Sequence, residues 1–114
     1  MLVVMLLCVF ASCSKAEVDD PIVGQWYVEG GWWLEFSEDG AVYEWSQNAQ
    51  GNWMQPYEVA AWKNLGDGEY SIVYNRMDRV RTILYDERED AFAFEDDFRV
   101  YQRIPRYEWA SYEG

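Results

Sequence analysis

The sequence contains no histidine. That removes the side chain that most often works as a general acid or base near neutral pH, and the commonest nitrogen ligand for metals. Cysteine is almost as scarce: the two present, Cys8 and Cys13, both sit in one apolar N-terminal stretch. The body of the chain therefore has no thiol pair for a disulfide framework or a redox couple. No Gly-rich phosphate loop and no nucleophile motif is present. Positive charge is also in short supply, with 9 Lys and Arg against 21 Asp and Glu and a formal net charge of -12. Such a balance argues against nucleic acid and against an anionic membrane surface as partners, and it suits a cationic one. These absences call for no cofactor and no metal, and they make an enzyme the least favoured class.

What is present begins with an apolar run, LVVMLLCVFASC at residues 2–13, which turns polar at once. Twelve helical residues reach roughly 18 Å, against a hydrocarbon core of roughly 30 Å. The run is too short to span a bilayer and has the length of a signal-peptide core. Its end, Phe10-Ala11-Ser12-Cys13, resembles the lipobox of bacterial lipoproteins, where small residues before a cysteine permit cleavage and leave that cysteine lipid-modified. The resemblance implies a signal peptide at 1–12, lipidation at Cys13 and membrane attachment through the lipid anchor. Ser14 after the cysteine implies transfer to the outer membrane. The acids Glu17, Asp19 and Asp20 are similar to the surface-export signal of Bacteroidota lipoproteins, and a solvated linker accounts for them equally well. Residues 13–20 then form a short acidic tether.

The remainder is one domain with an aromatic-rich core: 20 Trp, Tyr and Phe follow Phe10. Charge is uneven, since residues 13–75 carry two bases and eleven acids and residues 76–114 seven bases and ten acids, which makes the first half the more anionic. Short turn clusters recur, among them Gly30-Gly31, Ser37 to Gly40, Leu65 to Gly68, Asn75 to Arg79 and Asp86 to Asp90. They divide eight strand-like segments near 22–29, 32–37, 41–46, 53–63, 69–75, 80–85, 91–95 and 98–104. No connection is long enough for a crossover helix, so consecutive strands pair antiparallel. Alternation assigns Trp26 and Val28, Trp32, Leu34 and Phe36, Tyr43 and Trp45, Tyr70, Ile72 and Tyr74, Phe92 and Phe94, and Phe98 and Val100 to one apolar face. Eight short strands with a single apolar face close most economically into an up-and-down barrel, which leaves no sheet edge.

At this point residues 21–104 resemble the small lipocalin-like, calycin-type β-barrel domains of bacterial lipoproteins. The carriers are Ile22-Val23-Gly24-Gln25-Trp26, Leu34 to Gly40, and the closing Arg99-Val100-Tyr101-Gln102-Arg103-Ile104. The resemblance implies that Trp26 closes the barrel bottom, with Arg103 or Arg99 stacked across it as a cation on an aromatic face. Residues 105–114 form an aromatic tail carrying Tyr107, Trp109 and Tyr112.

Three function classes follow. A binding module would hold a small apolar or glycan ligand in the barrel, with Trp33, Trp45, Trp53 and Trp62 as candidate aromatic contacts. Alternation puts Trp33 and Trp62 on the face opposite the core or leaves them ambiguous, so these two are the candidates for binding at the outer surface. An interaction protein, such as an inhibitor of a cationic hydrolase, would use the negative field. An enzyme would need carboxylates such as those at Asp86 to Asp90 and Glu95 to Asp97, which read more simply as solvated turns. For the anchor, Cys13→Ala is expected to abolish lipidation and release the protein from the membrane fraction. Metabolic labelling with a fatty-acid analogue checks this, and label retained by the variant overturns the assignment.

Overall fold

The computed structural model describes residues 20–113. The leader at 1–12, Cys13 and the tether as far as Asp19 lie outside the described residues. The protein is mainly β: β1 (Gly24–Val28), β2 (Trp32–Phe36), β3 (Ala41–Trp45), β4 (Tyr57–Gly66), β5 (Glu69–Tyr74), β6 (Val80–Asp86), β7 (Ala91–Phe94) and β8 (Val100–Arg103). Each strand pairs antiparallel with the next, and β8 returns to β1, so the meander closes into an eight-stranded barrel. A single 3-10 turn at Arg106–Glu108 follows.

Local chemistry explains most strand limits. Pro56, which lacks a backbone N–H, stands before β4, so that strand starts at Tyr57 and not at 53. Trp53 makes only an isolated bridge to Gln47. Tight turns need left-handed backbone at Asp67 (φ 56°) and Gly68 (φ 80°). A Cβ on Gly68 would lie 2.8 Å from the Tyr85 carbonyl oxygen, so only glycine fits there.

Directly opposed residues share a face, and this rule corrects three of the expected orientations. In β3, Val42 pairs with Phe36 and Glu44 with Leu34, so Val42 and Glu44 face inward and Trp45 lies on the outer wall. The expected inward assignment of Tyr43 and Trp45 is thus off by one residue. In β8, Tyr101 pairs with Phe92 and is buried, whereas Val100 is exposed and Phe98 is fully so. The inward assignment of Phe98 and Val100 is likewise shifted by one. Trp62, expected outside or ambiguous, opposes Ile72 and is buried in the barrel. A bulge opposite Val42 and Tyr43 leaves Val59 unopposed, and it resets the parity of β4 between Ala60 and Glu58.

The core runs from Ile22 beneath the barrel through Trp26, Phe36, Tyr70, Ile83 and Phe92. Aromatic contacts knit it together. Phe92 stacks on Tyr101 at 4.7 Å between ring centroids and meets Trp26 edge-on at 4.9 Å.

Trp26→Ala is expected to cost about 3–5 kcal/mol, the usual loss for truncating a buried aromatic. Phe98→Ala is expected to change stability by less than about 0.5 kcal/mol. Urea midpoints measure both, and comparable losses would put Phe98 in the interior.

Candidate functional site

The barrel's two ends differ. At one end lie the β1–β2, β3–β4, β5–β6 and β7–β8 connections; here the interior opens into a cavity of about 610 Å³. That is the size of an ordinary small-molecule site. Its depth is apolar, walled by Leu34, Phe36, Val42, Ile72 and Phe94, with Trp32, Tyr57 and Met77 at the partly exposed rim.

The mouth is not apolar. Four of the chain's seven arginines, Arg76, Arg79, Arg81 and Arg99, line it, together with Glu44 and Glu58. Arg81 opposes Ile72 in the ladder and so points inward; its guanidinium lies 3.7 Å from the centroid of the Phe94 ring. Asp96 in the β7–β8 connection accepts from Arg81 at 2.6 and 3.2 Å and from Arg79 at 3.3 Å. These bonds, that of Arg81 foremost, hold the Asp96 carboxyl below the usual carboxylate range. The neighbouring Arg99 does the same to Asp97, whose pKa is lowered to about 2 by the side-chain bond and then by the Arg99 backbone N–H. Glu44 is held by the Tyr57 hydroxyl at 2.7 Å, and Glu58 accepts from the Asn75 amide.

The other end is closed. The Arg103 guanidinium lies 4.3 Å from the Trp26 ring centroid. Its N–H groups donate to Asp90 at 2.6 and 3.0 Å, to the Val23 carbonyl at 3.0 Å and to the Pro21 carbonyl. A Cβ at Gly24 would fall 2.5 Å from Arg103 Nη1, so the glycine leaves room for the guanidinium. The Arg103 bond is the main reason the Asp90 carboxyl titrates below its ordinary value. Burial, and next the bond to Asp90, raises the Tyr85 hydroxyl. Beside this, Asp20 accepts from Tyr70 and Asn64 and from the Ile22 backbone.

The candidate residues separate into three places. Trp26 and Arg103 meet at the closed end, whereas Arg99, the alternative partner for Trp26, lies at the mouth, four residues away along the chain and at the opposite end. Trp33, Trp45 and Trp53 form a cluster on the outer wall, with Trp53 4.7 Å from Trp33 and 5.9 Å from Trp45 by ring centroids. None of the three lines the cavity. The cluster is fixed from below by Gln25, which is 1% exposed although alternation places it outside. Its amide is fully used: Oε1 accepts from Trp33 Nε1 and the Ala110 N–H, and Nε2 donates to Glu35 and the Ala110 carbonyl. Trp45 Nε1 donates to the same Glu35 oxygen. Trp62 lies in the interior, its Nε1 bonded to the Ser37 carbonyl. Cys13 is outside the described residues.

Sequence reasoning did not single out Arg76, Arg79, Arg81 or Glu44. The available signal was the confinement of every arginine to the second half of the chain, with three of them between Arg76 and Arg81. Among the described residues no group of three His, Cys, Asp or Glu side chains is placed to hold a metal ion. The acidic turns are otherwise engaged: Asp86 accepts backbone N–H groups, and Asp90, Asp96 and Asp97 pair with arginines. No family model, no curated protein and no solved structure matches the chain.

The Asp90–Arg103 pair yields a pH prediction. A carboxylate whose native pKa lies below its unfolded value, about 3.9, stabilises fully above that value and loses its contribution as pH falls through the native pKa. Asp90→Asn suits the backbone there (φ 50°), since asparagine tolerates the left-handed region. The variant is expected to melt lower than the wild type at pH 7, with the gap closing on acidification below about pH 4. Melting temperatures across the pH range test this, and a gap independent of pH would remove the pair's ionic role.

Proposed function

We propose that the chain is a lipid-anchored envelope protein of a Gram-negative, Bacteroidota-like bacterium, and that its lipocalin-like barrel binds a small, largely apolar ligand at the open end. The observation that carries the binding assignment is the cavity of about 610 Å³, apolar in its depth and opening at one end of a closed barrel. A barrel serving only as a spacer gains nothing from keeping such volume unfilled, because every apolar wall left without partners forfeits packing energy. The lipobox-like Phe10-Ala11-Ser12-Cys13 supports the anchored location, and the Gly24-Gln25-Trp26 opening supports the family likeness. The alternative, capture of a cationic protein, rests on the net charge of -12 and on the outer aromatics Trp33, Trp45 and Trp53, features that a solvated, packed barrel wall accounts for equally well.

Nile red, a neutral apolar dye, is expected to bind the full chain with a fluorescence gain, and Leu34→Trp, which narrows the cavity, to weaken that binding at least tenfold. Raising salt from about 0.05 to 0.5 M is expected to leave the dye's affinity nearly unchanged, since screening acts on charges and not on apolar burial. Absence of dye binding, or equal binding by the filled variant, would overturn the cavity assignment. Salt-sensitive capture of a basic protein in its place would favour the alternative.

A further inference from the structure

We infer that the ligand of this cavity is an amphiphile with an anionic head, carboxylate or phosphate, held at the mouth by Arg81 and Arg76 while its apolar tail fills the barrel. The inference rests on the binding role proposed above and adds the chemical class of the ligand.

The first support is the distribution of charge. A chain with 9 basic and 21 acidic residues places four arginines around one opening; Asp96 and Asp97 pair with three of them, Arg76 is left without an ion pair among the described residues, and two further acids line the same surface. Both of these are on the β3–β4 side and already accept hydrogen bonds, Glu44 from Tyr57 and Glu58 from Asn75. The cations come from the β5–β6 connection, from the adjoining start of β6 and, further along the chain, from the β7–β8 connection, and all four line one cavity.

The second is the state of Arg81. Its side chain is 18% exposed, its face is on Phe94, and its neighbour Tyr74 Oη accepts from Nη1 at 3.4 Å. Asp96 takes the Nε and Nη2 groups. Three of the five N–H donors are thereby engaged, and two remain for a ligand. Asp96 thus acts as a positioning residue: it fixes the guanidinium against the cavity wall, so a head group meets a cation whose ordering cost is already met. Arg76 differs, for among the described residues it makes no ion pair, and it stands at the rim beside Met77. A partly buried, oriented cation and an unpaired one, both lining the same apolar cavity, match a head-and-tail molecule. A wholly apolar ligand would leave these donors desolvated without compensation.

The experiment displaces Nile red from the full chain with dodecanoate, dodecyl phosphate, dodecanol and dodecylamine, which share one tail. The two anions are expected to compete at least tenfold better than dodecanol, and dodecylamine worse than either anion. Whichever anion is stronger identifies a fatty-acid-like or a phosphate-headed source. Arg81→Met is expected to reduce the anion preference about tenfold and to shift dodecanol less than twofold, with Arg81→Lys recovering part of it. Arg76→Gln, in an exposed turn, is expected to reduce the preference several-fold without touching the fold, so the question stays decidable if Arg81→Met is unstable. Equal competition by dodecanol, preference for dodecylamine, or an anion preference untouched by both variants would overturn the head-group assignment while dye binding still upholds the cavity. Failure of the dye itself to bind would remove both.

Discussion

Closure of the barrel depends on Arg103. The β1–β8 seam is short, with two opposed pairs, Trp26 with Arg103 and Tyr27 with Gln102. Two ladder pairs are a thin join for a sheet that must leave no edge. The Arg103 side chain reinforces it from inside: one guanidinium stacks on Trp26 of β1, pairs with Asp90 in the β6–β7 turn, and caps the carbonyls of Pro21 and Val23 that lead into β1. Three parts of the chain, the 21–26 segment, the β6–β7 turn and β8 itself, therefore meet on one planar group. The geometry suits arginine and not lysine, because a single ammonium cannot stack and fork at once. Trp26 is pinned in turn by its own Nε1 bond to the Ile22 carbonyl, which draws Ile22 under the barrel as a plug.

Because the closed end carries so much of the folding work, the open end is free to keep a cavity. The N-terminal approach and the C-terminal tail both lie at the closed end, where Trp109 Nε1 donates to the Ile104 carbonyl and Ala110 is bound on both sides by Gln25. The tail thus seals the outer wall over β1 and shields the Gln25 amide, whose burial would otherwise be costly. At the mouth the polar groups are arranged differently. They are arginines held by acids of the neighbouring β7–β8 connection, not backbone caps, and they leave donors uncommitted.

The sequence made the strand count, the order and the closure legible, because turn clusters and aromatic segments alternate with little ambiguity. Orientation was legible only where no irregularity intervened. Trp26, Leu34, Phe36, Ile72 and Phe92 follow simple alternation and are buried. Val42, Glu44 and Tyr101 do not follow from it, because the parity of each strand is set by the turn before it. The Ser37–Gly40 turn and the Asp97–Arg99 connection each place the next strand one residue from the naive count. The bulge at Val59 has the same effect within one strand. Gln25 escaped notice for another reason: its cover, Ala110, is 85 residues away, a contact that no local pattern encodes. The cavity was illegible on the same ground, since it consists of what the inward side chains fail to fill.

An acidic protein with a basic mouth also says something about electrostatics. Asp96 and Asp97 neutralise much of the arginines' charge when viewed from solvent, so the long-range field stays negative. Within a few ångströms of the Arg81 guanidinium the balance reverses, because charges at that range are not averaged by screening. The acids thus have two effects: they fix the cations in place and they hide them from distant anions such as nucleic acid. In the proposed role the head group reaches the partly buried Arg81 once the tail has entered the apolar depth past Trp32 and Tyr57, with Arg76 at the rim. In the proposed role, discrimination follows that order, with the tail selected by cavity shape and the head by the arginines, so neither a bare anion nor a bare alkane satisfies the whole site.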